Sequence, residues 1–168
     1  MRFRIPPERP LPFYDTMTIL NGWHPGERSI HSRLNVSDAV TEAYTWIDES
    51  MPEQHRVFYA KNLPFVPLTT LDAQGRPWGS ILAGRDGEPG FIQSPNDVTL
   101  VADVESWEGD PLLRNLETET IETHLLAAGI GVEFSTRRRN KFAGKITKAE
   151  KTGKMGRRLH LEVNQAIG

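Results

Sequence analysis

The chain contains no cysteine, which removes disulfides, thiolate metal sites and cysteine nucleophiles together. No apolar run approaches the ~20 residues that a membrane-spanning helix requires. The start, MRFRIPPERPLPF, is positively charged but lacks the apolar centre of a secretory signal. Also missing are a Walker loop, a G-x-S-x-G elbow and a dinucleotide G-x-G-x-x-G. Gly129-Ile130-Gly131 lacks the third glycine and reads as a strand entry. No aromatic residues are interleaved with the basic run TRRRNK, and the pI is about 6.2, so a nucleic-acid surface is disfavoured. These absences leave a cytoplasmic protein without a membrane partner as the expectation.

What is present suits one domain. A chain of 168 residues can bury roughly 70% of its unfolded surface. Hydrophobic content of 38%, with 12 Pro and 14 Gly, fits a turn-rich fold rather than a long helical bundle. The net charge of −2 conceals an asymmetry. Arg85 to Glu122 holds ten acidic and two basic residues, whereas Arg137 to Arg158 holds ten basic and one acidic residue. Such polarity marks a solvated face, an anionic-ligand site or a self-complementary interface.

Residues 1–22, with Pro6, Pro7, Pro10 and Pro12, read as an extended arm. Gly22 to Glu27 opens a short helix to about Leu34, with Pro25 in its first turn. Ser37 and Asp38 can cap a second helix, in which Val40, Ala43, Tyr44 and Ile47 form an apolar stripe. Pro52 starts a third through Lys61, and Asp110-Pro111 is an N-cap and first-turn pair for a helix containing Leu112, Leu113 and Leu116. Between them, Phe65–Leu71 and Trp78–Ala83 flank the turn residues Asp72 to Pro77. A third run, Phe91 to Gln93, follows the turn Arg85 to Gly90, and the three read as a β-meander. Ile130, Val132 and Phe134 alternate with polar or small residues, with Phe142 and Ile146 at the same parity. Leu159, Leu161 and Val163 alternate with His160, Glu162 and Asn164. Helices mostly first and hairpin-connected strands later indicate an α+β fold around an antiparallel barrel.

The strand–Asp-x-x-Gly-x-Pro–strand unit of VPLTTLDAQGRPWGSIL, with Ser80 three positions after Pro77, resembles the opening of the pyridoxamine 5′-phosphate oxidase-like FMN-binding split barrels. Thr136 to Gly144, TRRRNKFAG, is similar to the Arg-rich strand of that superfamily's flavin-nucleotide-binding branch. His24-Pro25-Gly26-Glu27, with His31 and Val36, is similar to its leader. The resemblance implies a six-stranded antiparallel split β-barrel with peripheral helices over residues 23–168, assembled as a homodimer with FMN across the interface. It places Ser80, Ile81 and Leu82 on the first flavin-contacting strand, Gln93 and Ser94 near the ribityl-phosphate, and Arg138, Arg139 and Asn140 on the Arg-rich strand. The branch's last strand usually runs on into a further segment, and Gly168 stops where that segment would begin, which implies a longer native chain. Ser80 replaces the phosphate-gripping Arg of true pyridoxamine phosphate oxidases. The implied function is therefore an FMN-dependent oxidoreductase of unknown substrate that does not oxidise vitamin B6. The alternative is a non-catalytic flavin- or anion-binding or assembly module of the same fold.

The chemistry of these residues is compatible with that cofactor. Each charged hydrogen bond to a phosphate dianion is worth roughly 1.5–3 kcal/mol. Strand alternation sets Arg138 opposite to Arg137 and Arg139 unless a turn at Ser135-Thr136 intervenes. Trp78, Ile81, Leu82 and Phe91 suit the slot of a flavin ring and suit a plain core equally well. The five histidines have no carboxylate or cysteine partner at ligand spacing, so no metal site is expected.

Overall fold

The computed structural model describes residue 23 and residues 25–42, 46–118 and 125–168. The Pro-rich arm, His24, Ala43, Tyr44 and His124 lie outside these. Helix α1 spans Pro25–Leu34, α2 Asp38–Thr41, α3 Glu53–Lys61 and α4 Pro111–Thr118. The strands are β1 Phe65–Leu71, β2 Pro77–Ala83, β3 Ile92–Asn96, β4 Thr99–Glu105, β5 Leu125–Glu133, β6 Arg138–Lys151 and β7 Gly156–Ile167. All pair antiparallel in one sheet of order β2-β1-β5-β6-β7-β4-β3. The sheet curls until β2 contacts β4 without pairing to it. The α+β architecture is as expected, with seven strands where six were expected.

The meander does not form. β2 pairs only with β1, and β3 pairs only with β4 at the opposite edge of the sheet. The Arg85–Gly90 turn is real: Gly87 has φ +72° and its N–H donates to the Gly84 carbonyl. Yet it leads the chain to β3 at the opposite edge of the sheet instead of back alongside β2. The second helix also differs from expectation. It is four residues long, Val40 is exposed, and Ile47 lies beyond its end.

The β5 face is inverted relative to the hydropathy pattern. Leu125, Ala127, Gly129 and Gly131 point inward, while Ile130 and Val132 face outward and Phe134 sits 75% exposed in the following turn. The four-residue turn pairs Glu133 with Arg138, so odd positions of β5 share a face with even positions of β6. Phe142 and Ile146 are buried as expected, and the Phe142 ring fills the space a Gly129 side chain would need. On β7 the expected buried set, Leu159, Leu161 and Val163, is confirmed.

The core is closed at one end by α3, whose Phe58 and Tyr59 are fully buried against β5 and β6. Tyr59 meets Phe58 and Phe142 edge-on at 5.7 and 5.4 Å, contacts worth about 0.5–1.5 kcal/mol each beyond area burial. The Tyr59 hydroxyl donates to the Asn140 carbonyl at 2.7 Å. Helix α4 packs on β1 and β2. As expected, Asp110 caps it, with Oδ1 accepting the Leu112 N–H at 2.9 Å.

Candidate functional site

Ser80, Ile81 and Leu82 alternate across β2. The buried Ser80 hydroxyl donates to the Asp110 cap at 2.6 Å, which ties α4 to the sheet. Leu82 lies in the core, as does Phe91. Ile81 faces outward, 42% exposed. Gln93 and Ser94 are on the far edge strand. There Ser94 Oγ accepts from Arg56 Nε at 3.2 Å, its carbonyl accepts from Arg56 Nη2 at 3.0 Å, and its own hydroxyl donates to the Asn96 carbonyl.

The three arginines separate. Arg137 occupies the turn with φ +61°. Arg138 points to the α3 side: its guanidinium lies 4.7 Å from the Phe58 ring centroid and donates to the Gln54 carbonyl at 3.0 Å. Arg139 is exposed on the opposite face, as alternation requires. Asn140 is 1% exposed, and its Nδ2 has no hydrogen-bond partner among the described residues. His55 is close to it at the end of β7, 4% exposed with Nδ1 likewise unpartnered. Burial first and Arg138 second hold the His55 imidazole below its usual pKa, against the opposing pull of Asp48. His31 is elsewhere, its ring edge-on to Trp23 at 4.9 Å. Among the described residues no histidine or carboxylate group forms a metal-binding cluster.

The outer face of the sheet carries a feature that the sequence pattern alone does not reveal. A shallow depression of about 380 Å³ lies over β1, β5, β6 and the end of β7. Its lining is mainly apolar, with Pro67, Ala128, Ile130, Ala143 and Ile167, and Lys141 is the one titratable residue in it among the described residues. Register explains this assembly. Ile81 pairs with Pro67, Ile130 with Lys141, and Lys141 with Ile167, so these residues form one row across the outer face. Arg139 stands two residues before Lys141 on the same face, opposite Val132. Neither cation has an ion-pair or hydrogen-bond partner among the described residues.

Of the expected site residues, Ile81 and Arg139 thus share this face. Ser80, Leu82, Arg138 and Asn140 point inward, and Gln93 and Ser94 lie on the other sheet edge. Lys141 and the apolar floor were missed. The signal for Lys141 was its i, i+2 relation to Arg139. For the floor there was none, because the lining joins residues from five separate segments.

Among solved structures, a candidate pyridoxamine 5′-phosphate oxidase from Lactobacillus delbrueckii is similar over 71% of this chain and 95% of its own, at 14% identity and a TM-score of 0.51. The fold is that of the pyridoxamine 5′-phosphate oxidase-like split barrels. HupZ of Group A Streptococcus shares 16% identity over 69% of this chain and 92% of its own, with a TM-score of 0.48. An F420 reductase shares 8% over 69% and 98%, with a TM-score of 0.46. No protein-family model and no curated protein matches the sequence. At these identities the likeness concerns the split barrel itself, and the site must be argued from its own residues.

Proposed function

We propose that this split barrel binds FMN on the outer face of β1, β5 and β6, acts as a flavin-dependent oxidoreductase, and completes the site by pairing with a second copy in the cytoplasm. The observation that carries this reading is the apolar depression bordered by two cations with no partner among the described residues. The residues present fit the group. Pro67, Ala128 and Ile130 offer a flat apolar floor for a ring, and Arg139 and Lys141 offer charged donors for a phosphate. Bound FMN supplies the redox chemistry, and this chain's residues bind the ring, exclude water from one side of it and neutralise the phosphate. In this reading Gln93 and Ser94 enter the site from the other copy.

Flavin fluorescence quenching tests it. Wild-type protein is expected to bind FMN at micromolar levels, and Arg139→Ala to weaken binding by one to two orders of magnitude, about 1.5–3 kcal/mol. Arg138→Ala, which alters the α3 side of the sheet, is expected to leave the affinity within about twofold. Absence of quenching by the wild type, or an unchanged Arg139→Ala, rejects the assignment. Lys141 is the sole titratable lining residue among the described residues, and this favours as second reading a non-catalytic flavin- or anion-binding or assembly module. FMN that binds but accepts no electrons from NADH or NADPH selects that reading.

A further inference from the structure

A second cleft, of about 420 Å³, lies at the other end of β1 and β2, between the tip of their hairpin and α4. One wall is the hairpin, with Asp72, Gln74, Arg76 and Trp78; the other is Pro111 and Arg114. The groups in it are unequally committed. Arg76 Nε donates to Asp72 Oδ2 at 2.7 Å and Nη2 to Gln74 Oε1 at 3.0 Å, so this guanidinium is largely satisfied and its charge is balanced. The Trp78 indole N–H is spent on Asp72 Oδ2 at 2.8 Å. Trp78, 43% exposed, therefore has its ring face, not its donor, left for a ligand.

Arg114 is different. It is one of only two basic residues in the acidic stretch from Arg85 to Glu122. The other, Arg85, lies 3.7 Å from Glu105. Arg114 is exposed and has no hydrogen-bond or ion-pair partner among the described residues, Glu117 one turn on included. With Asp72 and Arg76 cancelling, the cleft lining retains the single positive charge of Arg114 beside an aromatic face.

We propose that this cleft is a ligand site for a planar aromatic molecule bearing one anionic group, its ring against Trp78 and its negative group at Arg114. Both wall types are needed: ring stacking alone accepts any flat molecule, and an exposed guanidinium alone holds an anion weakly. The cleft is distinct from the outer-face depression, whose cations are on β6.

Adenosine 5′-monophosphate, adenosine and inorganic phosphate are suitable probes, followed by the NMR signal of the Trp78 indole N–H, which Trp78→Phe identifies by its disappearance. The monophosphate is expected to shift this signal saturably, with adenosine about tenfold weaker and inorganic phosphate without effect at the same concentration. Arg114→Gln, an exposed substitution, is expected to reduce the monophosphate to the affinity of adenosine and leave adenosine unchanged. FMN quenching is expected to be the same in Arg114→Gln as in the wild type. No shift of the Trp78 signal by the monophosphate overturns the proposal, as does equal binding of all forms by Arg114→Gln and wild type. Loss of FMN quenching in Arg114→Gln also overturns it as a separate site, because the flavin phosphate would then be seated here.

Discussion

At the tip of the β1–β2 hairpin the Asp72 carboxylate accepts from the backbone N–H groups of Gln74 and Arg76, from Arg76 Nε and from the Trp78 indole. Burial pushes the carboxyl up, but the Trp78 and Arg76 donors and the Gln74 N–H outweigh it and hold its pKa well below the usual range. A group depressed in the folded state stabilises above its unfolded value of about 3.9, and this contribution is lost as pH falls through the folded value. Asp72→Ala is thus expected to melt below wild type at neutral pH, with the gap narrowing on titration below about pH 4; a gap independent of pH would show that the loss is packing alone. Ser80 leads to a prediction about activity. A neutral hydroxyl stands where the resembled oxidases place an Arg, and it is already tied to Asp110. In the proposed site Arg139 and Lys141 are taken up by the flavin phosphate, so a substrate phosphate is left unpaired in a water-poor pocket, at a cost of several kcal/mol. Incubation with pyridoxine or pyridoxamine phosphate, excess FMN and oxygen is therefore expected to form no pyridoxal phosphate. Turnover near an ordinary ~10 per second would show that another cation takes the anchor's role.

Among the elements, β5 shows most plainly what a sequence pattern records. Apolar runs between turn residues located β1, β2 and β3, and alternation located β5, β6 and β7, since period-two hydropathy survives wherever side chains report the buried face; β4 was missed. On β5 the buried positions include Gly129 and Gly131, which have no side chain to report anything, so the reading fell on Ile130 and Val132 instead. Long-range pairing was equally hidden. Asp and Gly around Arg85–Gly90 announce a reversal but not which strand the chain meets next, and β3 meets β4. The site was legible only in part for the same reason, since Arg139 is visible locally whereas the floor beside it requires the register of four strands. The inverted face makes its own prediction. A Cβ on Gly131 would lie 2.5 Å from Leu63 Cδ1 and 2.8 Å from Phe58 Cε1, both in the core beneath α3. Gly131→Ala is expected to destabilise by about 1–3 kcal/mol through overpacking, read as a lowered urea midpoint at unchanged slope. Were β5 in the opposite register, the added methyl would face solvent and the midpoint would not fall.

For the molecule as a whole, one ion pair among the described residues joins the acidic stretch to the basic one. β4 from the acidic stretch lies against β7 from the basic one, with Arg158 bidentate on Asp103 at 2.7 and 2.8 Å. Within the basic stretch Lys148 meets Glu150, which His160 also reaches from β7. The outer face of β2, β1 and β5 carries the exposed Ile81 and the apolar depression over Pro67, Ala128 and Ile130. An apolar depression on an open sheet face is a surface that a two-fold dimer would cover. Light scattering at micromolar concentration is expected to give twice the 19.0 kDa chain mass, and a pure monomer would remove the proposed second half of the site. Ala128→Glu sharpens the test. Ala128 is exposed and lines the depression, and its register partners are Thr69 and Ala143, so a carboxylate there finds no cation directly opposite. In the single chain it points to water, with Lys141 and Lys145 at the diagonal positions of β6, and is tolerated; against a second copy it is a charge that must be stripped of water with no partner directly opposite, at a cost of several kcal/mol. The variant is expected to keep its far-ultraviolet spectrum, run as a monomer and lose FMN quenching together with dimerisation. Monomerisation with FMN binding intact would place the whole cofactor on one chain, and a dimer that persists would move the interface to another face of the barrel.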